Sequence, residues 1–301
     1  MNILMPIAIT SISTCSIAEP DSTETEWITG GTYILGDLRI RVATHRVYQC
    51  ILGHTARSAL PEADPLYWKD YRPTLRWAPF DIYTTTAANS ATSPMIYALS
   101  PGYFNAMSLY GLVGSTVTIT VKDAPAGATI DSRTVSLYEE SAGLYEYLFS
   151  EHTQKTKIIA TGFPLTPLAE VTVSVAGVAP SMGMCNFGSM RTIDGDWGGT
   201  QYGASVEPIT YSRMVTDPTT GETSIKRGPA ASGLRANVVM PIADANYAIS
   251  ILQSVLDIPV SCIGTDMAGY EGLNVFGLIS SVVTYGGPGY SNVSITVKGM
   301  I

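Results

Sequence analysis

The sequence predicts a mainly β chain built from a small aromatic β-module, a jelly-roll-like β-sandwich and a C-terminal α+β domain. Three observations support this class. The 301 residues include 17 Tyr, 28 Gly and 18 Pro, which is typical of strands joined by tight turns. Runs of alternating apolar and polar residues recur at intervals of about 8–12 residues with turn signals between them. A single segment has the periodicity of an amphipathic helix.

Composition and charge exclude several classes of function. Charged residues make up 14% of the chain, below the usual level of about 25%. The formal net charge is −8, which argues against binding to a phosphate backbone. No apolar run reaches the roughly 18 residues of a membrane span. We therefore expect neither nucleic acid nor a membrane as a partner.

Residues 1–20 are expected to form an extended arm that packs on another chain or domain. Residues 1–18 are moderately apolar, but no Lys or Arg precedes the apolar part and Pro6 interrupts it. These features disfavour an export signal. The acidic, polar residues 19–26 are interpreted as a linker.

The small aromatic module is predicted over residues 21–75. Alternation predicts a half-buried strand over 38–42 and a hairpin partner over 47–52. Arg39, Arg41 and Arg46 would form a positive face, either solvated or in contact with an acidic neighbour or an anionic sugar. A unit of this size has few ways to fill a core, and each aromatic side chain buries about 150–250 Å². This favours a core role for Trp27 and Trp68.

The β-sandwich is predicted over residues 76–195. Residues 115–122 (STVTITVK) alternate strictly between apolar and polar side chains, which indicates a strand buried on one face. Further strands are predicted over 133–138, 144–149, 157–160 and 170–176. Gly, Pro and Ser clusters separate them, as in sandwich folds.

The α+β domain is predicted over residues 196–301, with one helix near 244–257. Asp244 is a suitable N-cap, and Pro259 is expected to end the helix. One apolar face follows helical spacing through Ala248, Ile251, Leu252 and Val255. Strands are predicted before and after the helix, over 234–240, 259–264, 275–284 and 291–298.

The first module resembles a known family. The residues that carry the resemblance are Trp27, Tyr33, Gly36-Asp37, Val47-Tyr48, Cys50, His54-Thr55 and Trp68. Their order and spacing are similar to those of the small carbohydrate-binding modules of chitinases (families 5 and 12). In that family, exposed aromatic rings stack on sugars. The resemblance therefore implies glycan contacts by Trp27, Tyr33, Tyr48 and Trp68.

A wider resemblance covers the whole chain. Residues 73–81 (PTLRWAPFD) follow the small module directly, as a similar motif does in bacteriophage virion proteins. Residues 217–221 (DPTTG) and 290–299 (YSNVSITVKG) are similar to later segments of the same proteins. The resemblance implies a structural component of a phage tail, in the tail tip, the baseplate or the fibre-attachment region. It also implies assembly in the bacterial cytoplasm with other tail proteins and symmetric copies, and contact with host-surface glycan.

Metal-binding patterns are weak. Residues 194–199 begin like a calcium loop, but Ser205 stands where the loop requires a bidentate Glu. Cys50, His54 and His45 lie close in sequence without the fourth ligand of a structural zinc site. We therefore expect no metal and no cofactor.

Catalytic patterns are equally weak. The sequence has no nucleophile elbow, P-loop or dinucleotide fingerprint. A glycosidase pair could come from Glu139, Glu140, Glu146 and Glu151, although solvated edge residues are the simpler interpretation. We therefore expect no enzymatic activity. The scattered cysteines, Cys15, Cys50, Cys185 and Cys262, are expected to be unpaired thiols.

Two alternatives to the tail protein remain at this level. A secreted carbohydrate-binding or chitinase accessory protein is supported by the first module alone and would need a signal peptide. A polysaccharide depolymerase would usually carry long β-helical repeats, and the sequence contains no internal period.

Overall fold

A computed structural model describes residues 1–138, 143–149, 154–194, 199–265, 267 and 269–300. The predicted mainly β, sandwich-like fold class is confirmed. The strands are β1 Asn2–Ile7, β2 Thr14–Cys15, β3 Thr32–Tyr33, β4 Leu38–Arg41, β5 Arg46–Cys50, β6 His54–Thr55, β7 Trp68–Pro73, β8 Ala88–Asn89, β9 Met95–Leu99, β10 Ala106–Tyr110, β11 Thr116–Lys122, β12 Thr129–Ser136, β13 Lys157–Thr161, β14 Glu170–Ala176, β15 Ser181–Met182, β16 Met184–Thr192, β17 Ser205–Thr210, β18 Arg213–Thr216, β19 Thr223–Lys226, β20 Ala230–Pro241, β21 Val260–Ile263, β22 Asn274–Tyr285 and β23 Tyr290–Gly299. The α-helices are α1 Leu144–Phe149 and α2 Ala245–Ser254, and short 3₁₀ turns span Pro61–Ala63, Ala78–Phe80, Ile242–Asp244 and Glu271–Leu273.

The chain forms two compact units that differ from the predicted boundaries. The terminal unit contains Met1–Ile7, Phe104–Met107 and Phe187–Ile301, and the middle unit contains Ala8–Tyr103 and Ser108–Asn186. The small module and the strands β11 and β14 of the predicted sandwich both belong to the middle unit. In the part of the chain that is described, no helix is long and apolar enough to cross a membrane.

The terminal unit is built on an antiparallel sheet with the strand order β16-β1-β21-β22-β23-β20-β17. Strand β1 lies inside this sheet, where Ile3 is opposite Arg191 on one side and Cys262 on the other. Ile3 and Leu4 are both fully buried. Part of the predicted arm is therefore an internal strand. Its almost continuous apolar run is typical of a strand that is covered on both faces.

Helix α2 packs on this sheet through the predicted face. Ala248, Ile251, Leu252 and Val255 all belong to the apolar core of the terminal unit, which also includes Ile3. Asp244 occupies the predicted N-cap position, but its side chain makes no capping hydrogen bond, because a 3₁₀ turn over Ile242–Asp244 leads directly into the helix. The helix ends at Ser254, before Pro259 is reached.

In the middle unit, a five-stranded sheet has the order β12-β11-β14-β9-β2. Strands β11 and β14 pair along their full length, and each alternates between buried and half-buried residues. The predicted strands over 115–122 and 170–176 are therefore confirmed. Burial of Val117, Ile119 and Val121 on one face explains why the periodicity was visible in the sequence.

The strand predicted over 144–149 is wrong, because this segment is helix α1. The sequence LYEYLF contains no β-branched residue, and its Leu and Glu residues favour a helix. Helical spacing places the rings of Tyr145 and Phe149 one turn apart, with centroids 5.1 Å from each other.

The small module is a three-stranded sheet in the order β4-β5-β7, accompanied by the strand pair β3-β6. Strands β4 and β5 correspond to the strands predicted over 38–42 and 47–52. Strand β7 carries Trp68 to the far side of β5, where Cys50 is opposite Trp68. Pairing from both sides holds the aromatic residues of the module around one centre.

Candidate functional site

The aromatic residues expected to contact glycan form the core of the small module. Trp27, Tyr33, Tyr48 and Trp68 are only 3–6% exposed and pack together with Cys50. The rings of Tyr33 and Trp68 meet edge to face, with centroids 5.0 Å apart. Stacking on a sugar requires an open ring face, and this degree of burial leaves none. The burial supports the core role and argues against the glycan contacts that the family resemblance implies.

Tyr33 also fixes the turn that precedes it. Its hydroxyl donates a hydrogen bond to the carbonyl of Ile28 and accepts one from the amide of the same residue, both at 2.8 Å. A Cβ atom at Gly31 would lie 2.6 Å from this hydroxyl, so glycine is required at that position. The Tyr33 side chain therefore stabilises the fold both through its ring, which packs in the core, and through its hydroxyl, which binds the backbone.

The three arginines of the first hairpin are paired with carboxylates. Arg39 lies 3.6 Å from Asp37, Arg41 lies 3.3 Å from Glu62, and Arg46 lies 2.7 Å from Asp70. The guanidinium groups of Arg39 and Arg41 also lie over the rings of Tyr33 and Trp27. These partners leave little net positive charge on the face that was considered for an anionic sugar.

His54 lies among three aromatic rings. The ring centroids of Tyr33, Tyr67 and Trp68 are 5.1–5.5 Å from the imidazole centroid. Both imidazole nitrogens are buried and have no hydrogen-bond partner among the described residues. Aromatic packing, and no hydrogen bond from a described residue, therefore holds the imidazole ring in place.

The residues considered for zinc do not converge on a common point. The thiol of Cys50 donates to the carbonyl of Leu52, and His45 binds the carboxylate of Glu19. Within the described ranges, no three His, Cys, Asp or Glu residues are placed to hold a metal ion. The Cys50 thiol instead binds the local backbone, and His45 binds a carboxylate 26 residues earlier in the sequence.

The predicted linker over residues 19–26 contains two buried carboxylates. Glu19 accepts hydrogen bonds from His45 Nδ1 at 3.0 Å and from the Thr74 hydroxyl at 2.6 Å. Glu24 accepts a hydrogen bond from the Leu75 amide at 2.8 Å. The linker interpretation is therefore wrong for these two residues. Their partners lie 26–55 residues away in sequence, so charge alone could not reveal the role.

These contacts give the PTLRWAPFD motif a structural role. Thr74 and Leu75 bind the two carboxylates, and Trp77 stacks on His45 with ring centroids 4.4 Å apart. The next residues form a 3₁₀ turn over Ala78–Phe80, and Asp81 follows it. The motif therefore anchors the end of the small module to the segment that precedes the module.

The surface of the small module carries a group of exposed aliphatic side chains, which we call the aliphatic patch. Its members are 41–74% exposed and are Ile34, Leu35, Ile51, Leu52 and Leu66. The backbone brings them together: a Cβ atom at Gly53 would lie 3.7 Å from the Ile34 Cα atom. The amide of Ile51 also donates to the carbonyl of Tyr67, next to Leu66. Several exposed apolar side chains grouped on one part of a surface often mark an interaction site.

A cleft of about 360 Å³ lies beside strand β7. Its lining includes Arg46, Tyr71, Arg72, Asp81, Tyr83 and Thr86. Tyr71 and Tyr83 are about half exposed, at 54% and 49%. Arg46 forms a salt bridge with Asp70 at 2.7 Å, and Arg72 forms one with Glu24 at 3.6 Å. The cleft therefore combines two accessible aromatic side chains with charges that are largely balanced.

Asp81 contributes a carboxylate to the lining of the cleft. Its carboxylate accepts hydrogen bonds from the Tyr83 amide at 2.7 Å and from the Thr86 hydroxyl. Burial raises the pKa of Asp81, and the hydrogen bond from Thr86 opposes that shift. Both hydrogen bonds hold the carboxylate in one orientation, and each oxygen keeps capacity to accept another donor.

The four cysteines are free thiols. Cys50, Cys185 and Cys262 are buried and Cys15 is half-buried. Burial raises the pKa of all four thiols, that of Cys262 to about 12. The thiolate is the reactive form, so these thiols are expected to be inert at neutral pH.

Several sequence-level candidates lie outside the described residues. These are residues 195–198 of the calcium-like loop and the acidic residues Glu139, Glu140 and Glu151; the side chain of Glu146 is likewise not described. The chain matches no protein-family model, and no curated protein matches it. The aliphatic patch and the cleft beside β7 are therefore the described features that bear on function.

Proposed function

We propose that this chain is a structural subunit of a bacteriophage tail, in the tail tip, the baseplate or the fibre-attachment region. It assembles with other tail proteins and with symmetric copies of itself, without catalysing a reaction. Assembly takes place in the bacterial cytoplasm, where free thiols persist. The small module serves as a contact surface for a neighbouring subunit.

The aliphatic patch is the observation that carries this proposal. Carbohydrate recognition uses flat aromatic faces, but the module keeps its tryptophans in the core and exposes branched aliphatic side chains instead. Such side chains fill shaped hollows in another protein surface and gain free energy by leaving water. Leu35 and Leu66 are more than 70% exposed, so a partner that covers them would remove substantial apolar area from water.

Composition gives independent support. With 14% charged residues, the chain has fewer surface charges than a typical soluble protein. Permanent interfaces are depleted in charge and bury large areas. A subunit whose surface is largely covered by neighbours needs fewer charges to remain soluble.

Incorporation into particles tests the proposal. We would express Leu35→Glu/Leu52→Glu in place of the parent chain in tailed-phage particles that carry the encoding gene. The expected result is loss of the chain from purified particles, with the isolated protein still folded. Leu165→Glu is the matched control, because Leu165 is 66% exposed in the same unit and outside the patch. Normal incorporation of the double variant would contradict the proposed role of the patch.

The cleft beside strand β7 favours a second, compatible function, which is contact with host-surface glycan. Tyr71 and Tyr83 offer accessible aromatic surface, and Asp81, which lines the same cleft, offers oriented acceptor atoms. The arginines already have carboxylate partners, so a neutral polyhydroxylated ligand fits better than an anion. The volume of about 360 Å³ is at the small end of the ~300–1,000 Å³ range for ligand sites, which suits a short saccharide segment.

Saccharide binding at the cleft can be tested with neutral hexasaccharides. Chitohexaose and maltohexaose would be titrated into the full chain and followed by saturation-transfer NMR. Tyr71→Ala and Asp81→Ala are each expected to abolish the signal. Tyr103→Ala, at a tyrosine that is 63% exposed elsewhere in the same unit, should leave it unchanged. Absence of signal with both sugars would contradict the glycan function and leave the assembly role standing.

A further inference from the structure

We propose that the hairpin of β18 and β19 joins two copies of this chain, through antiparallel pairing of β18 with β18 of the second copy. The inference rests on the assembly role proposed above and names the element that makes one of its contacts. Three features carry it: the exposure of the hairpin, the open edge of β18 and the order of charges along that strand.

The hairpin is an extension without a core of its own. It continues strands β17 and β20, and the Tyr211 amide donates to the Pro229 carbonyl at its base. All residues from 213 to 227 are exposed except Val215, which is half-buried. Met214 and Ile225 face each other across the hairpin and are 71% and 66% exposed. A two-stranded hairpin in water is only marginally stable, so a covering partner would stabilise this one.

Strand β18 has an open edge. Within the described chain it pairs with β19 alone, and β17, which precedes it, is the last strand of its sheet. An exposed edge presents unpaired N–H and C=O groups to any strand that approaches. Addition of a strand from another chain satisfies these groups through main-chain hydrogen bonds.

The charges along β18 select a second copy as the occupant. The strand and the following residue have the sequence Arg213, Met214, Val215, Thr216 and Asp217. Antiparallel pairing of two copies about Val215 places each Arg213 opposite Asp217 of the other copy. Val215 then meets Val215, and Met214 meets Thr216. A one-residue shift destroys this match, so the charges define the register. The contact is two-fold symmetric and closes on itself.

Both charged residues are available for this contact. Arg213 forms no salt bridge within the described residues, and Lys226 lies directly opposite it in the hairpin. Like charges in opposite positions are unfavourable, and a carboxylate from a second copy would relieve this repulsion. Asp217 Oδ1 accepts hydrogen bonds from the Thr219 and Thr220 amides. The turn thus holds this carboxylate at the end of the strand.

Cross-linking tests the proposed register. Directly opposite residues of an antiparallel pair have Cα atoms about 4.5–5.5 Å apart, within the range of a disulfide. Val215→Cys in the full chain should therefore form a covalent dimer under mild oxidation with copper-phenanthroline. Ser224→Cys is the matched control, because Ser224 faces Val215 in the same hairpin but would lie three strand spacings, about 14 Å, from its symmetry mate. It should remain monomeric on a non-reducing gel, as should the parent chain with its native cysteines.

Sedimentation velocity tests the charge pairing. The parent chain should dimerise, and Arg213→Asp should weaken the dimer at least about tenfold, because it places two like charges opposite each other twice. Arg213→Lys should retain the dimer. A monomeric parent, an unaffected Arg213→Asp variant, or a Ser224→Cys cross-link as efficient as that of Val215→Cys would overturn the proposal. Incorporation into particles is measured separately, so failure of the hairpin contact and failure of the tail assignment give different results.

Discussion

At the scale of single residues, Trp68 contributes most directly to the small module. It is 3% exposed and packs against Tyr33 in a small core that it shares with Trp27, Tyr48 and Cys50. Trp68→Ala should reduce the free energy of unfolding of the module by about 3–5 kcal/mol. Limited proteolysis should then cleave within residues 21–75 while the rest of the middle unit stays intact. Tyr71→Ala, at a 54% exposed position of the same strand, should leave the module resistant. A protease-resistant Trp68→Ala variant would contradict the core assignment.

Buried thiols give the chain a specific sensitivity to alkaline pH. The Cys262 pKa rises from an ordinary value of about 9 to about 12 because the thiol is buried. Between these values the unfolded chain has lost a proton that the folded chain retains. The free energy of unfolding should therefore fall as pH rises above 9, by up to about 1.4 kcal/mol per pH unit for this thiol. Urea unfolding at pH 8, 9 and 10 should show a shallower decline in Cys262→Ala than in the parent. Equal declines would rule out this contribution.

The sequence could predict the roles of the aromatic core residues but not those of the buried carboxylates or of the cleft residues. The core role of Trp27 and Trp68 follows from module size, because few other side chains are large enough to fill the centre. The roles of Glu19 and Glu24 could not be predicted, because a buried carboxylate looks like a solvated one until its partners are known. Asp81 and Tyr83 were missed for the same reason, since the cleft exists only after β7 and the following turn are brought together.

At the scale of elements, the contribution of strand β1 to the stability of the terminal unit can be tested directly. Ile3 is fully buried between β16 and β21, so Ile3→Ala should destabilise the terminal unit by about 2–5 kcal/mol. Hydrogen-exchange mass spectrometry should show faster exchange in β21 and β22. Ile9→Ala, at a half-buried residue outside β1, is the control and should leave those strands protected. Unchanged exchange in Ile3→Ala would mean that β1 contributes little to the sheet.

Elements with strong periodicity were predictable, and elements decided by distant contacts were not. Strands β11 and β14 alternate because one face of each is buried, and the apolar face of α2 matches its position on the sheet. Strand β1 could not be placed, because an apolar run does not reveal which strands will flank it. Helix α1 was misassigned because a run of six residues is too short to establish a period.

At the scale of the whole molecule, the sequence predicted the mainly β class but not the way in which the chain is divided. Residues 1–7 and 187–301 form one unit and the small module belongs to the other. Composition and turn signals depend only on residues that are close in sequence. Strand pairing joins segments almost 190 residues apart, as in Ile3 opposite Arg191. The predicted boundaries at 20, 75 and 195 therefore differ from the bounds of the two compact units.

We propose that this chain is an assembly subunit whose aliphatic patch is covered by a neighbouring protein. An electron cryo-microscopy map of the intact phage particle tests it most directly. We expect density for this chain in the tail, with Leu35, Leu52 and Leu66 in contact with another subunit. A map in which the chain is absent from the particle, or in which these side chains face solvent, would contradict it.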